Sequence, residues 1–220
     1  MAEIKVTLGQ YKGLKVNKVP VDIPEGELEA ALNKLHQDHA PDMPLDDEFA
    51  KKAFGFESLA ALKAALEEQL LAGIANEAKV NEENAAVDAA VANAQVEVPE
   101  ELVNAEVEKE FALLCAKMEQ NGMKMEQYLS MMGVTKEDYL AQARPNVVQQ
   151  FKVKAVLEAV ATAENIVITD EDVENELQRV SANYGVDIST VRADLGTEFV
   201  RKNLASQQAL DIIVNNADYI

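Results

Sequence analysis

Residues 58–94 read SLAALKAALEEQLLAGIANEAKVNEENAAVDAAVANA, and this stretch decides the predicted fold. It contains no proline, a single glycine at Gly73 and otherwise mostly strong helix formers, so it predicts an uninterrupted helix of roughly 55 Å. Leucines recur at helical spacing in its first half, whereas Ala, Asn and Glu dominate its second half. We expect the first half to be buried and the second half to be lightly covered. A helix that outruns its own core is typical of an elongated scaffold with exposed surface rather than of a closed enzyme.

The composition narrows the class of protein. The chain has 220 residues, is 48% hydrophobic and has a net charge of −19. It can therefore bury a genuine core. It lacks the clustered Lys and Arg that nucleic-acid phosphates require, which argues against a nucleic-acid partner. Because the net charge is negative, a charged partner is expected to be basic. A single cysteine excludes an internal disulfide and fits a reducing compartment. Without a signal-like N-terminus or a run of about 18 apolar residues, the sequence predicts a cytoplasmic protein with no membrane partner.

The segments before the long helix predict an extended strap and two short helices. Residues 4–23 alternate between apolar and polar types, as extended chain does, and a helix is expected to follow from Pro24 through His39. Gly55 is placed to end a second short helix, and Ser58 is placed to cap the long one. Three phenylalanines in this region are expected to cover the leucine half of the long helix: Phe49, Phe54 and Phe56.

The segments after the long helix predict further helices joined by short loops. Pro99 has the position of a first helical turn, and Arg144-Pro145 is expected to interrupt or kink a later helix. Two threonines followed by an aspartate three residues later predict capping motifs. The final helix is apolar enough to return to a core through Phe199, Val200 and the later residues Leu204, Leu210, Ile213 and Val214. The predicted helices are 99–121, 124–132, one from 135, one resuming at 147, 169–182, 188–195 and 197–215.

Several segments resemble one protein family. LDDEFAKKAFGFESLAALKAAL at 45–66, AQVEVPEELVNAEVEKEF at 94–111, QNGMKMEQYL at 120–129 and ENIVITDEDVENEL at 164–177 are similar to the C-terminal, substrate-binding domain of bacterial trigger factor. TLGQYKGLKVNKVPVDI at 7–23 is similar to that family's linker. The resemblance implies a mainly α fold, a multi-helical elongated body with two helical arms, preceded by a short extended N-terminal linker.

The same resemblance implies a division into domains. Residues 1–40 would form a strap and linker helix that packs on the body, and residues 41–220 would form the helical substrate-binding domain. Within that domain the long helix is expected at 58–94, the arms at roughly 99–146 and 147–195, and a C-terminal helix at 197–215.

Two departures from the family pattern concern function. The family carries a prolyl isomerase domain between the linker helix and the LDDEFA motif, yet here HQDHA runs directly into PDMPLDDEF. The ribosome-docking domain has no counterpart either, so a ribosome partner is expected only through a domain absent from this sequence. The chain is therefore either an excised fragment or fusion, or a naturally short homologue. No isomerase residue can be assigned, and we expect no enzyme activity.

Candidate binding residues concentrate at two helical tips. Five of the seven methionines fall within fifteen residues, and flexible methionine surfaces suit partners of varied shape. The alternative is an adaptable local core, and the family resemblance favours contact with client polypeptides. The candidates are Met118, Met123, Met125, Tyr128, Leu129, Met131, Met132 and Tyr139 at the first tip, and Tyr184, Val186 and Ile188 at the second.

No residue pattern predicts catalysis or a cofactor. His36 and His39 have metal-ligand spacing, but their acidic helix end favours two solvated histidines and no metal. Cys115 lies on an apolar helix face and is expected to be buried and inert. The paired glutamates are too numerous to mark a catalytic dyad, and no glycine-rich phosphate loop is present.

Three functions follow from these observations. The favoured one is an ATP-independent chaperone module that binds unfolded or nascent polypeptides, including basic clients, through the apolar surfaces of a helical cradle. A second is part of a prolyl isomerase whose catalytic domain is absent. A third is a helical adaptor or homodimerisation module.

Overall fold

The computed structural model describes residues 3–220, and its fold is mainly α, as predicted. Within the described residues the helices are α1 (Glu27–His39), α2 (Asp47–Phe54), α3 (Leu59–Asn93), α4 (Glu100–Gln120), α5 (Met125–Met132), α6 (Lys136–Ala163), α7 (Asp170–Tyr184), α8 (Ile188–Leu195) and α9 (Thr197–Asn215). The strands are β1 (Lys5–Thr7), β2 (Lys15–Val16), β3 (Gln95–Glu97) and β4 (Asp218–Tyr219). No helix in residues 3–220 combines the length and apolarity of a membrane span.

The helix boundaries follow from local capping chemistry. The Ser58 hydroxyl accepts from the backbone N–H of Ala61 at 3.2 Å and so caps α3. Gly55 ends α2 with φ of 76°, a left-handed conformation that glycine adopts without steric cost. Both predicted boundaries are confirmed.

Of the two outcomes predicted at Arg144-Pro145, the interruption is wrong, because α6 continues through Pro145 as one helix from Lys136 to Ala163. A kink there stays a prediction. Proline removes one backbone donor from a helix and usually breaks it. Here the following turn is fixed by the fully buried Val147, and the preceding residue, Arg144, forms an ion pair with Glu100 of α4. The predicted boundary between two arms at residues 146 and 147 therefore falls inside a continuous helix.

The chain forms two compact units, of which the larger comprises the described residues up to Leu14 together with Ala86–Asp218. In this unit α6 packs against both α4 and α9, and α7 packs against α8 and α9. β1 pairs with β3 in antiparallel register, with Val6 opposite Val96. This pairing was not predicted, since the sequence predicted only the start of a helix, at Pro99, in this region. Gly9 lies so close to the Asn93 backbone that a Cβ atom would clash with it.

The smaller unit comprises Lys15–Ala85 with Tyr219–Ile220. Its core contains Leu32, Phe49, Ala50 and Leu62, surrounded by Phe54, Phe56 and the first leucines of α3. The prediction that the phenylalanines cover the start of the long helix is therefore confirmed. A domain boundary at residue 40 stays a prediction.

The expected burial gradient along α3 is wrong in both halves, because Leu62 is the one fully buried residue of the leucine stripe and the far end is covered. Ala86, Val87, Ala90 and Val91 are buried, whereas most residues between 67 and 77 are exposed or only half-buried. Alanine is small enough to be covered completely by close packing, so an alanine-rich face does not by itself indicate exposure. The lightly covered part of the helix is its middle, which extends to the exposed Val80.

Candidate functional site

The first tip, which we call the methionine tip, consists of α5 with the adjoining ends of α4 and α6. Met125 and Leu129 lie one helical turn apart and are buried against Phe111 of α4. The Tyr139 ring lies 5.6 Å from the Phe111 ring, and Lys136 Nζ lies 5.0 Å from the same ring centroid. The tip therefore has a small core of its own.

This core changes the predicted roles of several candidates. Met125 and Leu129, predicted to contact clients, are buried, because α5 turns its apolar face toward the α4–α6 hairpin. Met118, Tyr128 and Tyr139 are half-buried around them, as is Cys115, which was expected to be fully buried. The alternative of an adaptable local core thus describes most of this group.

Two methionines of the tip remain uncovered. Met131 is 78% exposed and Met132 is 51% exposed, while Met123 is half-buried. Met131 and Met132 lie in the last turn of α5, just before Gly133 ends the helix with φ of 69°. Client contact by these three residues stays a prediction.

The second tip lies between α7 and α8. Tyr184 ends α7 and is exposed, as is Val186 in the following loop. Ile188 instead packs against the core that contains Leu177, Val191 and the α9 residue Val200. Of the three predicted residues, Tyr184 and Val186 are accessible, and their contact with clients stays a prediction.

A groove between α6 and α9, which we call the α6–α9 groove, is an open and largely apolar surface of the larger unit. It has a volume of about 460 Å³, and Phe199, on its α9 side, is 54% exposed. The other lining residues are Gln149, Gln150, Val153, Lys154, Leu157, Glu158, Lys202, Asn203 and Ser206. An aromatic ring left open beside two aliphatic side chains is a typical feature of interaction surfaces.

The sequence prediction that Phe199 returns to the core is wrong. Val200, Ala209 and Ile213 form the buried face of α9, and Phe199 is rotated away from that face by one residue. A signal was available in the sequence, because Lys202 and Asn203, three and four positions after Phe199, are polar. Residues at these spacings share a helix face, so the face of Phe199 is mixed rather than apolar.

A second apolar groove lies in the smaller unit and has acidic neighbours. Val21 of the extended segment and Leu71 of α3 line it with Ala64, Ala72 and Ala75, and its volume is about 560 Å³. Glu67 and Glu68 are the charged residues that line it. We call it the α3 groove.

A polar cluster fixes the chain around Tyr11 to the end of α6. The Tyr11 hydroxyl donates to Glu164 Oε1 at 2.7 Å, and Lys12 Nζ lies 2.7 Å from the same oxygen. These contacts, with Lys12 as the main cause, lower the pKa of Glu164, and the hydrogen bond to Glu164 raises the pKa of Tyr11. The cluster joins two segments and leaves no free acid or base for chemistry.

Of the two histidines predicted to be solvated, His39 is exposed, whereas His36 is half-buried. His36 Nε2 lies 2.6 Å from the Met43 carbonyl, and its ring meets the edge of Phe49 at 5.0 Å. His39 meets Phe54 in the same way. Within residues 3–220, no three His, Cys, Asp or Glu side chains come together in a group that could hold a metal ion.

Comparisons with known proteins place these features in a family. Residues 58–215, well over half of the chain, match the family described as "Bacterial trigger factor protein (TF) C-terminus". Trigger factor 1 of Desulfitobacterium hafniense is 32% identical over 193 residues, which cover 84% of this chain and 44% of the relative. Trigger factor of Pelotomaculum thermopropionicum is 34% identical over 178 residues, which cover 79% of this chain and 41% of the relative. The chain spans less than half the length of these relatives.

A solved structure gives the same result for the fold. The structure described as "Promiscuous Substrate Recognition in Folding and Assembly Activities of the Trigger Factor Chaperone" superposes with a TM-score of 0.50. The identity is 14%, and the superposition covers 97% of this chain and 73% of the other. By its sequence match and its mainly α fold, the chain belongs to the bacterial trigger factor family.

Proposed function

We propose that this chain is a chaperone module that binds unfolded polypeptides, without ATP, through dispersed apolar surfaces. The single observation that most supports the proposal is the α6–α9 groove, where Phe199 stands half-exposed beside Val153 and Leu157. The exposed Met131, Met132 and Tyr184 add smaller apolar surfaces. Promiscuous substrate recognition is described for the solved trigger factor chaperone, and the present groove gives that property a physical basis in this chain.

The geometry of the groove accounts for broad and modest binding. Covering one large apolar side chain is worth about 1.5–3 kcal/mol, but ordering a flexible client opposes this gain. A shallow surface without converging polar groups does not select one orientation, so many sequences bind with similar strength. Independence of ATP is proposed because the sequence lacks a glycine-rich phosphate loop.

Aggregation of a chemically denatured enzyme, followed by light scattering after dilution, tests this function. The whole chain at several-fold excess should suppress scattering, and Phe199→Ser should raise the concentration needed for half-suppression about threefold. A matched control is Leu113→Ser on α4, because Leu113 is 62% exposed and lies outside the groove. It should retain wild-type suppression.

Two results would count against the proposal. An absence of suppression by the wild-type chain at any excess would remove the chaperone function. Equal loss in Phe199→Ser and Leu113→Ser would show that the groove has no special part in it. Circular dichroism of both variants should match the wild type, since each change is at an exposed position.

A further inference from the structure

The α6–α9 groove contains charges opposite in sign to those of the whole protein. Lys154 and Lys202 line it with Glu158 as the only acid, although the chain has a net charge of −19. The α3 groove has the reverse arrangement, with Glu67 and Glu68 beside its apolar floor. The two grooves therefore differ in the charge of the chains that they would attract.

The two lysines of the α6–α9 groove are available for a partner. Neither Lys154 nor Lys202 forms an ion pair within the described part of the chain, and both are exposed. The neighbouring cation Arg201 is different, because it donates hydrogen bonds to Asp170 and to the Ile168 carbonyl and forms an ion pair with Glu198. Arg201 of α9 is thus bound within the protein, whereas the next residue, Lys202, is exposed and lines the groove with Phe199.

The lysines also lie where several depressions adjoin. Lys202 and Glu158 line the groove and two neighbouring hollows, one toward Ile166 and one toward β1, and Lys154 lines the groove and the hollow toward β1. A polypeptide in the groove would lie beside these lysines. Its apolar side chains would meet Val153, Leu157 and Phe199 at the same time.

We propose that the α6–α9 groove binds polypeptide segments in which Asp or Glu flanks a large apolar side chain. This inference rests on the proposed function and names the clients of one of its surfaces. The apolar floor takes the central side chain, and the flanking carboxylates pair with Lys154 and Lys202. Since exposed ion pairs are weak, the two together should favour an acidic over a neutral segment by about three- to tenfold.

The preference opposes the long-range field of the protein. A net charge of −19 attracts basic chains from a distance, which is the preference that composition alone predicts. Such attraction between well-separated charges is largely screened beyond about 8 Å at physiological salt, whereas contacts inside the groove are screened less. The acidic preference should therefore be measured at about 0.15 M salt rather than at low ionic strength.

Fluorescence anisotropy with two labelled peptides tests the inference on the whole chain. The peptides share an apolar centre of Leu and Phe, and one is flanked by aspartates while the other is flanked by lysines. Lys154→Gln with Lys202→Gln should weaken binding of the acid-flanked peptide about three- to tenfold and should not weaken binding of the base-flanked peptide, which the same lysines repel. The control, Lys34→Gln with Lys117→Gln, makes the same change in net charge at exposed lysines outside the groove.

The outcomes separate the inference from the proposed function. Equal weakening of the acid-flanked peptide by both double variants, or no weakening by either, would overturn the inference. If the wild-type chain suppresses aggregation but does not bind the acid-flanked peptide, only the inference fails. If it binds that peptide with the expected lysine dependence but suppresses nothing, only the chaperone function fails.

Discussion

The methionine tip and the α6–α9 groove are both rich in apolar side chains, but they differ in what covers those side chains. At the tip, Met125 and Leu129 are buried by Phe111, so the largest groups stabilise the hairpin itself. In the groove, Phe199 remains 54% exposed although the neighbouring Val200 is buried. Apolar content alone therefore does not mark a candidate binding surface, because the chain can bury its own apolar side chains, and the proposal rests on the helix face that stays open.

The reason for the difference lies in which helix face the neighbouring helices cover. At the tip, the ends of α4 and α6 lie beside α5, and their apolar side chains cover the face that contains Met125 and Leu129. α9 packs its buried face against α6, α7 and α8, and Phe199 lies beyond that contact on a face with polar neighbours. Burial at the tip stabilises the hairpin, whereas the exposed ring at the groove is free for the contact that we propose.

The largest expected effect contrasts two phenylalanines. Phe111→Ala should lower the free energy of unfolding by about 3–5 kcal/mol, because it removes the ring that Met125, Leu129 and Tyr139 contact. Phe199→Ala should change it by about 0.5 kcal/mol or less, as is usual at exposed positions. Urea unfolding followed by circular dichroism measures both values.

This pair of variants can also break the comparison. A loss of several kcal/mol in Phe199→Ala would show that the ring supports the α6–α9 packing and is not held ready for a client. If the tip of Phe111→Ala unfolds before the rest of the protein, a separate transition should appear. That transition would identify the tip core as the part that the Phe111 ring stabilises.

A smaller effect is expected from the exposed end of the tip. Met131→Ser combined with Met132→Ser removes the uncovered methionines and leaves Met125 and Leu129 in place. Suppression of aggregation should weaken by about twofold or less, because flexible methionines add apolar contact but no enclosed floor. A loss greater than that of Phe199→Ser would make the tip, and not the groove, the main contact surface.

The sequence was sufficient for features that depend on neighbouring residues. Thr135 with Asp138 and Thr169 with Asp172 form the predicted capping motifs, and α8 and α9 have the predicted limits. Capping depends on a hydrogen bond over three residues, so local sequence determines it. The mainly α fold was also predicted from local sequence, through long helical periodicity, and the family was identified from short segments such as LDDEFAKKAFGF.

The features that sequence did not predict depend on contacts between distant segments. The β1–β3 pairing joins residues about ninety positions apart, and neither strand alone specifies its partner. The helix at Pro145 continues because contacts with α4 outweigh a local breaker. The groove was missed because Phe199 was grouped with Val200 on one apolar face, although the polar Lys202 and Asn203 mark the face of Phe199 as mixed.

The smallest expected effect compares the cap beside the tip with the cap beside the groove helix. The pKa of Asp138 is lowered by hydrogen bonds from the Thr135 hydroxyl and backbone, and the pKa of Asp172 is lowered in the same way by Thr169. Arg201 of α9 lowers the pKa of Asp172 further. Because a lowered pKa means that folding favours the charged form, both caps stabilise the protein fully above the ordinary aspartate value of about 3.9.

This stabilisation should be lost as the pH falls through the folded-state pKa values. Thermal unfolding of Asp138→Asn, Asp172→Asn and wild type at pH 7 and near pH 3 measures it. Both variants should unfold at lower temperature than wild type at pH 7, and the gaps should narrow toward pH 3 as the wild-type aspartates become increasingly protonated. The gap for Asp172→Asn should be the larger, since Asp172 also faces Arg201. Gaps that stay the same at both pH values would show that the caps act through shape and hydrogen-bond count rather than through charge.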